Sequence, residues 1–147
     1  MGEPEETLDV EEAVTRLNEA LTLQYRSAHQ YMLSSGSLFG FEFQELGDRL
    51  WEYARAELAD ARKLVEKIVA LGGAPTTEMA TLEWTGEPDA AVDHLVETET
   101  EAVETLQRAI EPTGREGRSE ALEHMLEHLI MRKQGQIDFL VRARRRR

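Results

Sequence analysis

The 147-residue chain has no cysteine, only 4 prolines, and aromatic residues at 6% of its length. Without cysteine there is no disulfide framework, no thiolate zinc site and no cysteine nucleophile. No apolar run approaches the ~20 residues that a membrane-spanning helix needs. The opening MGEPEETLDVEE is acidic and polar, unlike a secretory or transit signal. Phosphate loops, nucleotide fingerprints and a Ser/His/Asp arrangement are missing as well. At 41% hydrophobic, this length fills one core and not two comfortable ones. The expectation is one soluble, cytoplasmic domain.

What the chain has in quantity is negative charge: 29 acidic against 17 basic groups, a formal net of −12. Five of the basic groups crowd into the last six residues, RARRRR. Without that tail, 12 basic groups face 29 acidic ones. A body of this sign repels nucleic acid. Phosphate binding is therefore confined to the tail, for which a solvated end complementing a helix dipole is the preferred reading.

Four long stretches carry the 3.6-residue period, and no strand alternation stands out. The first helix is predicted over Val10–Phe39, with Asp9 and Glu12 as a capping box and GSLFGF as the turn that follows. The second is predicted over Glu42–Leu71, stopped by Gly72-Gly73 with Pro75 beyond. The third begins near Pro88 and runs to Glu111, where Pro112 and Gly114 break it. The fourth starts between Thr113 and Ser119 and runs to Ala143. Both outer connections are short, so each flanking pair reads as an antiparallel hairpin. Segment 74–87 is long enough to travel the ~40 Å of a 28-residue helix. The fold expected is all-α: an antiparallel four-helix bundle of ferritin-like arrangement with one long crossover. An acidic lead (1–9), the bundle (10–141) and a basic tail (142–147) divide the chain.

The buried stripes are the informative feature. At 4-3 spacing they run Leu17, Leu21, Gln24, Ala28, Tyr31 and Ser35 on the first helix. On the second they run Leu46, Leu50, Tyr53, Glu57, Asp60, Leu64 and Ile68. The third gives Val92, Leu95/Val96, Glu99, Ala102/Val103, Leu106 and Ile110. The fourth gives Leu122, Leu126, Leu129, Lys133, Gln136 and Leu140. Every stripe is interrupted by polar groups at mid-helix, where an antiparallel bundle brings them to one height. An unpaired buried carboxylate costs several kcal/mol, so these groups satisfy one another or hold something.

Their spacing is that of a bundle-core metal site, with one Glu from each of two helices and Glu-x-x-His from the other two. Their chemistry departs from it. Two divalent cations call for roughly four carboxylates plus imidazoles. Gln24, Glu57, Asp60, Glu99, Lys133 and Gln136 supply three carboxylates, two amides and an ammonium. Three readings stay open. Lys133, with Gln136, replaces the metal as a built-in counter-ion bridging Glu57, Glu99 and Asp60. A single weakened metal site survives on Glu57, Asp60 and Glu99, with Gln24 as a further oxygen donor. Or a different face is buried.

Over residues 10–141 the chain resembles the bacterioferritins. LNEALTLQYRSAHQY (17–31) is similar to their opening helix, and ELADARKLVEKIVALGGAP (57–75) to their second helix and turn. TLQRAI (105–110) and GQIDFL (135–140) match the ends of the last two helices. The resemblance implies iron(II) oxidation at a diiron centre and storage of ferric mineral in a 24-subunit shell. It also implies haem at a two-fold dimer interface. By the same resemblance, the retained ligands are Glu57 and Glu99. Gln24 stands for a Glu, Asp60 for a His, and Lys133 and Gln136 for the last Glu and His. Leu58 falls on the haem-ligating Met and cannot coordinate iron, which argues against haem. The family's short fifth helix has no counterpart after Leu140, which argues against the full shell.

The function expected is iron binding or storage in iron homeostasis, with the ferroxidase centre largely lost and weak or no iron(II) oxidation. The alternative is a non-catalytic structural or interaction protein with a metal-free, salt-bridged core. Tyr25, Met32, Phe39, Phe41, Phe43 and Trp51 exceed what the first turn needs, which favours a homodimer or larger homo-oligomer through the first two helices. His124 and His128, one turn apart, can clamp a metal, although a solvated or dimer-contact pair ranks ahead of that. His29 and His94 stand alone.

Overall fold

The computed structural model describes residues 7–111 and 116–145. Four helices form in the expected order: α1 (Val10–Ser37), α2 (Gln44–Ala70), α3 (Pro88–Ile110) and α4 (Gly117–Arg145). α1 begins where Asp9 accepts a hydrogen bond from the Glu12 amide at 3.1 Å. The box is not reciprocal, because the Glu12 side chain turns to Arg16 at 2.7 Å. α1 ends at Ser37, two residues before the expected Phe39. Gly40 then reverses the chain at φ 110°, and a 3-10 turn over Phe41–Phe43 delays α2 to Gln44.

α2 closes with its last carbonyls bonded by the amides that follow. Gly72, at φ 86°, donates to Val69 O, and Gly73 donates to Ile68 O, both at 2.9 Å. This glycine-terminated cap is the one that the Gly72-Gly73 pair signalled. Gly73 also lies against α1, where an added Cβ would meet Val14 Cγ1 at 2.6 Å.

The crossover then runs along α1. Asn18 holds it from both sides, donating to Ala74 O at 3.0 Å and accepting from the Thr76 amide at 2.8 Å. Tyr25 donates to Thr76 O, the Ala80 amide to Thr22 O, and Trp84 to Ser37 Oγ. The strap so tracks α1 from its first half to its C-terminal end, and α3 starts with Pro88 in its first turn. Breakers Pro112 and Gly114 lie outside the described residues. α4 runs two residues past Ala143. Arg144, from the expected tail, pairs with Asp93 at 2.9 Å and with Asp89 at 3.7 Å. No helix among the described residues is long and apolar enough to cross a membrane.

α1 packs against α2 and α3, and α3 against α4. Two apolar clusters result. One gathers Leu17, Leu21, Leu64, Ile68, Leu106, Leu122, Leu126 and Leu129. The other gathers Tyr31, Leu50, Ala54, Val92, Leu95 and Leu140. Between them lies a polar layer at mid-bundle. The stripes match the expected ones except at the end of α1, where Ser34 is buried and Ser35 is only half-buried, and at Leu46, Tyr53 and Ile110, which are half-buried as well.

Candidate functional site: a lysine-closed bundle centre

All six polar interruptions are inside. Gln24, Glu57, Asp60, Glu99, Lys133 and Gln136 are each at most 4% exposed. α4 delivers Lys133 along a row of leucines, so its stem crosses apolar core and its ammonium ends in the layer. Lys133 Nζ donates to Glu57 Oε2 at 2.8 Å, Glu99 Oε2 at 3.0 Å and Ser27 Oγ at 3.2 Å. Three donors meet three acceptors, so the ammonium is fully bonded.

The two glutamates are held from behind as well. Gln24 Nε2 donates to the Glu57 carboxylate and, at 2.9 Å, to the Glu57 backbone carbonyl. Gln136 Nε2 donates to Glu57 Oε1 at 2.7 Å and to the Tyr31 hydroxyl at 3.3 Å. Ser27 donates its hydroxyl proton to Glu99 Oε1. Sequence reasoning missed Ser27, which lies off the strict 4-3 seam although it is fully enclosed. It also missed a neighbouring chain in which Thr98 donates to Gln30 Oε1 at 2.9 Å. There Gln30 Nε2 lies 3.1 Å from His94 Nε2, so His94 does not stand alone.

Asp60 takes a separate place. Neither of its oxygens has a hydrogen bond, and it faces Arg132 and Lys63 at 3.6 Å each. Lys133 bonds the two glutamates without it.

Burial acts on all of these charges. It would push the Glu57 carboxyl up, but the charge and hydrogen bonds of Lys133, with the bond from Gln136, hold it below its ordinary value. Glu99 is pushed up to about 7 by burial and by the Glu57 charge, against the pull of Lys133. Burial would lower Lys133, yet Glu57 and Glu99 keep it above the ordinary lysine value. Burial raises Asp60, with Arg132 opposing. Tyr31 is raised well above 10 by burial and the two nearby glutamates.

A pair of iron ions does not fit this donor set. The space between Glu57 and Glu99 holds a bonded ammonium, which has no lone pair to offer and repels cations. Both glutamates already direct their oxygens to Lys133, Gln24, Gln136 and Ser27. Among the described residues, no group of three or more His, Asp or Glu side chains is arranged to hold a metal ion.

The remaining candidates sit elsewhere. His124 and His128 are exposed on α4. Leu58 is 64% exposed on the outer face of α2, beside Met32, Trp51 and His29. Of the aromatics expected to form a surface, Phe43 is buried and Tyr25 is half-buried and bonded to the strap. Phe39 and Phe41 are over 90% exposed.

Comparison with known proteins agrees with this architecture. The model of the Ferritin family, described as a ferritin-like domain, matches residues 14–144. No curated protein matches. A ferritin-like, diiron-carboxylate protein from Bacillus anthracis superposes with a TM-score of 0.85 at 24% identity, over 92% of this chain and 96% of that one. The bacterioferritin of Desulfovibrio desulfuricans gives 0.83 at 21% identity, over 91% and 78% of the two chains. Rhodobacter capsulatus bacterioferritin, solved with a metal-free dinuclear site and haem iron, gives 0.80 at 21%, over 88% and 81%. The chain belongs to the ferritin-like domain family.

Proposed function

We infer that this ferritin-like protein does not oxidise iron(II) at its bundle centre, and that it works as a structural or interaction protein with a salt-bridged core. The observation that carries this is the Lys133 ammonium, 2.8 Å from Glu57 and 3.0 Å from Glu99. The ammonium offsets one of the two converging glutamate charges, a part of the work that cations do in a dimetal bundle. The second reading keeps the family's place in iron homeostasis, with weakened iron binding on Glu57, Asp60, Glu99 and Gln24. It draws on Asp60, a buried carboxylate without hydrogen bonds.

The proposed assembly draws its support from the outer face of α1 and α2. Met32, Trp51 and Leu58 are exposed together, and an open groove of about 750 Å³ beside them is lined by Tyr25, Leu58 and Val65 with Arg55, Arg62, Lys63 and Glu66 among them. Exposed apolar side chains rimmed by charged ones support an interaction surface, and a homodimer through α1 and α2 is the proposed state.

The two readings separate on iron. The purified protein is mixed with iron(II) in air, and oxidation and retained metal are followed. No acceleration over buffer and no retained iron are expected, with Lys133→Glu plus Gln136→His gaining both as the restoring control. Retained iron and rapid oxidation by the unaltered chain would establish the second reading.

A further inference from the structure

The outward face of α4 carries two imidazoles whose arrangement the bundle does not require. His124 and His128 stand one turn apart in His124-Met-Leu-Glu-His128, both exposed, on the side away from Leu122, Leu126 and Leu129. Their Nε2 atoms lie 3.1 Å apart, with ring centres 4.6 Å apart and planes at 87°. The two ring nitrogens lie within hydrogen-bonding distance of each other, and the same spacing suits two donors on one ion. Imidazoles sharing one ion at ~2.0–2.1 Å have their nitrogens about 3.0–3.4 Å apart.

We propose that His124 and His128 form an open surface site for a borderline divalent transition-metal ion of the zinc, nickel and copper class, completed by water. Neutral imidazole favours these ions over magnesium or calcium, which prefer oxygen. The surroundings suit a cation. Glu120, Glu123 and Glu127 lie within a turn, and the nearest basic residues along the helix are committed, Arg118 to Glu116 and Arg132 to Asp60. The site uses no residue of the bundle centre, so it stands whether or not that centre binds iron. With two protein ligands it is an exchangeable site, suited to picking up an ion or to bridging to a second surface, and not a buried structural one.

Calorimetric titration of the full chain with zinc chloride near neutral pH, in excess magnesium, tests this. The expected result is saturable binding of at most one ion per chain. His124→Ala and His128→Ala each weaken it by about tenfold or more, the loss produced even by removing outer partners of a ligand. Both positions are exposed, so unchanged circular dichroism and melting points are expected for the variants. Undiminished affinity in the His124→Ala/His128→Ala double variant, or no saturable binding at millimolar zinc, overturns the proposal.

Discussion

At the residue scale, Lys133 decides what the centre is. A complete buried ion pair adds little net stability over well-packed apolar groups, but removing one partner leaves an uncompensated charge in the core. Lys133→Met is therefore expected to cost about 3–5 kcal/mol in urea unfolding at about pH 8. The loss should shrink toward pH 5, where the stranded carboxyls take up protons. Glu99 gives the intact protein a pH dependence of definite sign. Its carboxyl is raised from 4.5 to about 7 on folding, so between those values the native state binds more protons than the unfolded chain. Stability falls as pH rises through that window, by at most about 1.4 kcal/mol per pH unit. Asp60, also raised, adds the same sign. Glu57, lowered, adds the opposite sign, and its contribution is lost only as pH falls below the ordinary carboxylate range. Glu99→Gln should flatten the slope between about pH 5 and 7, and an unchanged slope would assign it to other groups. These residues were legible because a charge in a leucine stripe breaks the pattern. Ser27 was not, since a serine beside an alanine on a helix breaks nothing.

At the element scale, the crossover separates this bundle from a simple up-and-down one. Its length and its Pro and Gly content predicted that it travels from one end to the other. Its fastenings were not predictable, because Asn18 is 56 residues from Ala74 and its side chain meets the strap only after the chain has turned twice. Asn18→Ala removes both bonds, for an expected loss of about 1–2 kcal/mol at the usual net value per bond. Hydrogen exchange should show the amides of Thr76 and Ala80 losing protection while those of the α3–α4 hairpin keep theirs. Equal loss throughout would mean that the strap is not fastened locally. Helix ends were read to within one or two residues. The largest differences arose at Gly40, where the 3-10 turn shifts the start of α2, and at the end of α4, where Arg144 finds two aspartates on α3.

At the scale of the whole molecule, the bundle is an acidic body, and Met32, Trp51 and Leu58 are exposed apolar side chains on α1 and α2. Trp51, at 49% exposure, lines one shallow depression together with Met32 and Leu58. Trp51→Glu is expected to convert a dimer to a monomer by sedimentation analysis, with helix content unchanged. A dimer that survives this change would place the interface elsewhere. The fold was visible in the sequence because four amphipathic periods and one long connection admit few arrangements. The outer surface was only partly visible, because Phe43 and Tyr25 resemble surface aromatics until packing encloses them.

The most direct measurement of the central claim is anomalous scattering from a crystal soaked in iron(II). The expected map has no peak between Glu57 and Glu99, with the Lys133 ammonium bonded to both carboxylates. Two anomalous peaks in that space, with the lysine side chain displaced, would contradict it.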